Sequence, residues 1–211
     1  MNNYSSSGYD KIAPFYDDMV GLIYGKDIFD AEIHFLDEIP VWANVLIIGG
    51  GTGWILLELI KLKPHCKIWY IDSSAKMMEL SKRKMGDNKS IVFITGTEDD
   101  IPANKQFDII ITNFYLDGFS NEVLPIIIEK IEKQLRPNGK WLVTEFVDTG
   151  WKKHTFLLWL MHVFFKFICK HPNTRLVDWE PAFKLKGFVG LKEKNFYDGF
   201  IKSVVFCKKN P

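Results

Sequence analysis

VLIIGGGTGWILLEL, residues 45–59, runs an apolar segment of strand length into four glycines within five positions and then into a second apolar segment of helical length. Such a turn lets the backbone take left-handed torsions and come close to a ligand with no Cβ in the way. Outward from it, strand-like segments alternate with helical ones. NVLIIGG, KIWYID, SIVFITG, FDIIITN and KWLVTEF are apolar on both faces, as strands covered by two helical layers must be. SAKMMELSKRKM and NEVLPIIIEKIEKQL carry helical periodicity between them. FVGLKEKNFY and IKSVVFCKK flank Asp198-Gly199, a hairpin signal. The expected fold is α/β: a Rossmann-like, doubly wound, seven-stranded, mostly parallel sheet with an antiparallel C-terminal strand and helices on both faces.

In such a sheet the turn after the first strand faces the ligand crevice. Gly49, Gly51 and Gly53 form a GxGxG pattern there. A dinucleotide fingerprint needs its third small residue at position 54, where Trp54 stands, so a pyrophosphate-hugging turn is disfavoured. Asp72 ends the second strand, placed to accept hydrogen bonds from the vicinal hydroxyls of a ribose. Asp72, Ser73 and Ser74 also precede a helix, so capping is the other reading of Asp72. An unphosphorylated ribose belongs to both a nicotinamide dinucleotide and S-adenosylmethionine.

The 211 residues carry a net charge of +1, with 47% hydrophobic and 25% charged side chains, ordinary for one globular α/β domain. Residues 1–150 hold 15 basic and 22 acidic side chains, while residues 151–211 hold 12 and 4. The basic C-terminal third is either a solvated surface or an attractor for an anionic substrate or membrane surface. A nucleic-acid partner is not expected at a pI near 7.7. Cys66, Cys169 and Cys207 lie far apart, with no CxxC spacing, so neither a disulfide framework nor a metal site is suggested. No leader-like segment opens the sequence, and a cytoplasmic location is the default expectation.

Several segments, in order, resemble the class I S-adenosylmethionine-dependent methyltransferases, in particular their small-molecule, ubiquinone/menaquinone-type branch. YDKIAPFYD (Tyr9 to Asp17) is similar to that branch's N-terminal lid signature and VLIIGGGTG to its first motif. IDSSAKMMELSKRK is similar to its ribose-binding strand and helix, TGTEDDIP to its adenine loop, and LRPNGKWLVTEF to the turn and strand after its fourth helix. The resemblance implies S-adenosylmethionine as cofactor and methyl transfer to a small, apolar or aromatic acceptor. It implies Gly49, Gly51 and Gly53 beneath the methionine portion, Asp72 and Ser73 at the ribose, and Thr97 and Glu98 near the adenine. Asn113 and Phe114 would line the floor below the sulfur, and Tyr9 and Tyr16 would belong to the lid. Two positions depart from the pattern. Ile47 stands where the family usually has an acid that helps anchor the methionine amino group, and Thr97 where an Asp is common.

The chain is expected to form one domain over residues 1–211, with a helical lid (1–40), a cofactor core (41–150), a helical cap (151–186) and a C-terminal strand pair (187–211). Methyl transfer needs positioning and desolvation more than a catalytic group. If the acceptor must lose a proton, His154, His162 and Asp117 are the candidate bases. TFLLWLMHVFFKFICKH, residues 155–171, is apolar around most of a helix and too short to span a bilayer. Burial or a homodimer contact, a roof over an acceptor pocket, and peripheral membrane contact all remain open for it; the expectation is the roof, with His162 on its polar stripe. A nicotinamide-dependent oxidoreductase and a non-catalytic module that has lost its cofactor are the competing functions.

Overall fold

The alternation of β-branched strands and amphipathic helices folds into a seven-stranded sheet. A computed structural model describes residues 6–169 and 176–209, with side chains from Gly8 to Met161 and from Leu176 to Lys209. The strands are β1 (Asn44–Ile48), β2 (Lys67–Asp72), β3 (Ile91–Thr95), β4 (Phe107–Asn113), β5 (Leu135–Phe146), β6 (Phe188–Phe196) and β7 (Ile201–Lys208). Their order is β3-β2-β1-β4-β5-β7-β6. The first five are mutually parallel, and β7 alone runs antiparallel to both its neighbours. The expected α/β fold, its strands and its C-terminal hairpin are therefore present. One boundary differs: β5 begins at Leu135, and its pairing with β4 becomes regular only from Lys140, because Asn138, at φ 64°, interrupts the register.

The helices are α1 (Ser6–Ile12), α2 (Tyr16–Tyr24), α3 (Asp27–Ile33), α4 (Trp54–Leu62), α5 (Ala75–Met85), α6 (Leu124–Glu132), α7 (Lys152–Cys169) and α8 (Trp179–Leu185). Alternate residues of the central strands feed two apolar layers. Leu46, Ile48, Ile110, Trp141 and Phe183 belong to one, and Val45, Ile47, Tyr70, Ile109 and Ile111 to the other. That division explains why Val45–Ile48 of β1 and Ile109–Ile111 of β4 are apolar on both faces. A third cluster joins α2, α3 and α7 to the ends of β5 and β7 through Val20, Tyr24, Ile28, Phe146, Leu158 and Phe200.

After β1 the chain builds outward to β2 and β3, then returns to place β4 on the other side of β1. The reversal opens a crevice at the carboxyl ends of β1 and β4. Among the described residues no helix is long and apolar enough to cross a membrane.

Candidate cofactor and acceptor site

A continuous cavity of about 480 Å³ occupies that crevice. It is lined by the turn after β1, by Asp72 and Ser73 at the end of β2, by Gly96–Glu98 after β3, by Asn113, Phe114, Tyr115 and Asp117 at the end of β4, and by residues of α1, α2, α3 and α7.

The glycine turn is held from below. Gly49 sits at φ 69°, and a Cβ there would lie 2.5 Å from the Tyr115 ring. Tyr70 lies under the next residue, and its hydroxyl donates to the Gly51 carbonyl at 3.0 Å. The Gly51 N–H donates to Asp72 Oδ2 at 2.7 Å, and the Ser74 N–H to Asp72 Oδ1 at 2.8 Å. Burial raises the Asp72 pKa, and these two donors oppose that rise. A carboxylate has about four lone-pair sites, so two remain for ribose hydroxyls. Capping falls to Ser74, whose Oγ accepts from the Met77 N–H at 3.1 Å. Gly53 is not among the lining residues. At φ 85° it opens α4, and a Cβ there would lie 2.9 Å from Ser81 Cα, so its glycine is required by the packing of α4 against α5.

At the other end of the same wall, Thr97 caps a short 3-10 turn, its Oγ1 accepting from the Asp99 N–H at 3.2 Å. Glu98 is buried, and its Oε2 accepts from the Tyr115 hydroxyl at 2.5 Å. Tyr115 thereby ties the loop after β3 to the glycine turn. The N-terminal helices α1 and α2 are latched to this wall by two carboxylates. Asp10 of α1 accepts from Ser74 Oγ at 2.6 Å and from the Lys76 N–H at 3.0 Å. Asp17 of α2 accepts from Thr52 Oγ1 at 2.7 Å and pairs with Lys84 at 2.8 Å. Tyr9 and Tyr16 line the enclosed space.

Beyond Phe114 the lining changes character. Phe114 holds φ 50°, a torsion that costs a non-glycine residue about 1–3 kcal/mol. Its N–H donates to Thr144 O at 2.8 Å, and those of Tyr115 and Leu116 donate to Glu145 Oε1 at 2.9 and 2.6 Å. Met19, Val20, Ile23, Tyr24, Ile28 and Phe146 then form an apolar wall, with Leu157, Leu160 and Met161 of α7. Burial pushes Asp117, which faces this end, up to about 7, and pushes Glu145 well above the carboxylate range, with Asp117 adding to that rise. Tyr16 and Tyr24 are pushed above the phenol range by burial, so both stay protonated.

The structure thus brings Tyr9, Tyr16, Gly49, Gly51, Asp72, Ser73, Thr97, Glu98, Asn113, Phe114 and Asp117 to one cavity. His154 is placed elsewhere: it is fully buried beside Phe200 at 4.8 Å, bonded through Nδ1 to Thr149 Oγ1 at 2.6 Å, and does not line the cavity. As a base it would have no access to an acceptor there. The side chain of His162 lies outside the described residues, as do those of residues 163–169. Sequence reasoning passed over Tyr70, Tyr115 and Glu145, which read only as strand or turn residues, and over Asp10 and Asp17, which sit inside the YDKIAPFYD segment beside the tyrosines it singled out.

Residues 45–139 match the family model described as a methyltransferase domain. The chain is 34% identical over 102 residues to malonyl-[acyl-carrier protein] O-methyltransferase of Priestia megaterium, covering 48% of this chain and 36% of that one. It is 28% identical over 113 residues to demethylmenaquinone methyltransferase of Thermotoga maritima, covering 53% and 47%. The chain spans less than half the length of either relative. In fold it is similar to DhpI, solved as a complex with SAH, at TM-score 0.70 and 15% identity, with 96% and 95% of the chains covered. With the Rossmann-like fold and motifs above, residues 45–139 form a methyltransferase domain, whose cofactor is S-adenosylmethionine. The cavity fits that cofactor: a Cβ on Gly51 would meet no atom within 4 Å, leaving room for a ligand against the bare turn, and Asp72 keeps acceptor capacity beside it.

Proposed function

We propose that this chain transfers a methyl group to a small, neutral, apolar or aromatic acceptor. The observation that carries the reading is the two-part cavity, a polar wall of glycines and carboxylates continuous with an apolar wall from α2, α3, β5 and α7. Gly49 and Gly51 would hold the methionine portion of the cofactor, Asp72 and Ser73 its ribose, and Thr97 and Glu98 its adenine. S-adenosylmethionine, when bound, supplies an electrophilic methyl group on a sulfonium. Asn113 and Phe114 stand where the two walls meet, and the lid formed by Tyr9 and Tyr16 excludes water from that junction. The apolar wall positions the acceptor, and proximity supplies most of the rate. For an acceptor that sheds a proton, Asp117 is the group placed to take it, because its raised pKa makes it a stronger base than an ordinary carboxylate.

The two relatives act, by their names, on a malonyl group and on demethylmenaquinone. A malonyl carboxylate is an anion. The cavity lining includes Asp17, Glu32, Asp72, Glu98 and Asp117 and, among the described residues, no Lys or Arg. With no lining cation to meet an acid, the cavity favours an uncharged ring. The test is to incubate the purified chain with methyl-labelled cofactor and fractionated metabolites, following the label by mass spectrometry. Label in an apolar or aromatic product is expected. Label confined to carboxylic esters would overturn the acceptor class, and a cofactor that binds without any transfer would overturn the activity.

A further inference from the structure

The methionine end of the cofactor carries a cationic amino group, and in a water-poor cavity such a group needs a counter-charge. The position that usually provides one in this family is Ile47, which is 2% exposed within an apolar layer. Most carboxylates lining the cavity already have partners. Asp17 is held by Thr52 and Lys84, both oxygens of Asp72 accept backbone N–H groups, and Glu98 accepts from Tyr115. Asp117 lies beyond Phe114, against the Gly118 backbone. Glu32, in the last turn of α3, lines the cavity with no hydrogen bond or ion pair among the described residues.

We propose that Glu32 binds the amino group of the cofactor's methionine portion, replacing from α3 the acid that β1 lacks. The proposal rests on the cofactor assignment and adds the residue that recognises its amino-acid end. Glu32 is at the correct end of the cavity. Its charge acts on Tyr70, which braces Gly51, and Asp17, bonded to Thr52, acts on it in turn. Trp54 starts α4 at the same end, and its indole N–H is buried with no acceptor among the described residues. An unpaired carboxylate and an unpaired N–H together complement a zwitterion. Burial, then Asp17, pushes Glu32 up to about 8, as expected of a desolvated acid awaiting a cation.

The titratable groups facing Glu32 are Tyr16 and Asp17 from α2 and Tyr70 from β2. None supplies a positive charge. Glu32 must therefore lose its proton when the ammonium binds, and affinity for an amino-acid-bearing ligand should rise with pH up to about 8.

Calorimetric titration separates the two ends of the ligand. S-adenosylhomocysteine keeps the amino acid, and 5′-methylthioadenosine lacks it. Glu32→Gln is expected to weaken S-adenosylhomocysteine about 10- to 100-fold, to flatten its pH dependence, and to leave 5′-methylthioadenosine affinity and the melting temperature within error. Unchanged S-adenosylhomocysteine affinity in the variant overturns the proposal. Equal weakening of both ligands also overturns it, assigning Glu32 to the shape of the cavity. Failure of both ligands to bind the unaltered protein overturns the cofactor assignment and the proposal with it.

Discussion

The two walls of the cavity are built from different materials. The cofactor wall is backbone and short polar side chains, cross-tied by Asp72, Tyr70 and Tyr115 so that the turns after β1, β2, β3 and β4 hold one another in place. The apolar wall is side chains from α2, α3, β5 and α7, joined by packing, by aromatic contacts such as Phe114 with Phe146 at 4.7 Å, and by the Tyr24 hydroxyl donating to Met161 Sδ at 2.6 Å. Backbone hydrogen bonds define positions closely and tolerate few replacements, whereas apolar packing accepts any set of similar volume. A fold that must hold one cofactor and take different acceptors gains from keeping these apart.

The largest expected effect comes from returning an acid to β1. Ile47→Glu would restore the family's usual residue, yet Ile47 packs in the same layer as Val45, Tyr70 and Ile111 and pairs in register with Tyr70. A carboxylate placed there has no cation to meet. The expected loss is about 3–5 kcal/mol of stability, read as a falling denaturation midpoint. Tighter cofactor binding with undiminished stability would mean that this wall still accommodates the family's acid. Asp72→Ala comes next. It removes the acceptor for Gly51 and Ser74 as well as for the ribose, so cofactor affinity should fall roughly 30- to 100-fold, with a lower melting temperature besides. Calorimetry showing intact affinity would remove Asp72 from the cofactor wall.

This contrast also explains what could be read from the chain alone. The strands and the glycine turn were legible because their constraints are local: β-branched runs buried on both faces, bare backbone at Gly49 and Gly51, a carboxylate ending β2. Tyr70 and Tyr115 were not, because an aromatic residue in or just after a strand has the same pattern whether it fills the core or braces a turn 19 or 66 residues away. Gly53 misled for a related reason. Its place in GxGxG implied ligand contact, while the demand for glycine comes from α5. Glu32 carried no signal, since one acid in DIFDAEI reads as the solvent side of a helix. The apolar wall was hardest to foresee, assembled from four elements at long separation. Only α7 was noticed, through an excess of apolar residues; Leu157, Leu160 and Met161 line the cavity, and Phe156 and Trp159 are exposed.

A packed wall should respond more gently than a hydrogen-bonded one. Leu157→Ala removes apolar surface from the α7 side of the cavity without removing a hydrogen bond. The expected result is a rise of about fivefold in acceptor KM, of the order of 1 kcal/mol, at unchanged cofactor affinity. A parallel loss of cofactor affinity would show that the two walls are mechanically one.

The smallest effect expected at the cofactor comes from beyond Phe114, and pH reveals it. Burial holds Asp117 at about 7 in the folded chain, against about 3.9 for an unstructured Asp. Between those values the folded state binds more protons than the unfolded one, so stability falls as pH rises from about 4 to 7 and the loss is complete above the folded value. Asp117→Asn should flatten the melting temperature across that window and gain on the unaltered protein toward its alkaline side. Asp117 raises Glu145, buried beside it, so Asp117→Asn should also move the Glu145 midpoint downward. Cofactor affinity should be unmoved by Asp117→Asn, because that residue stands beyond Phe114. Turnover of a hydroxyl acceptor should lose the limb that rises through pH 7, since only the carboxylate form accepts the proton. A profile that keeps this limb in the variant would leave methyl transfer here to proximity alone and return Asp117 to the structural carboxylates.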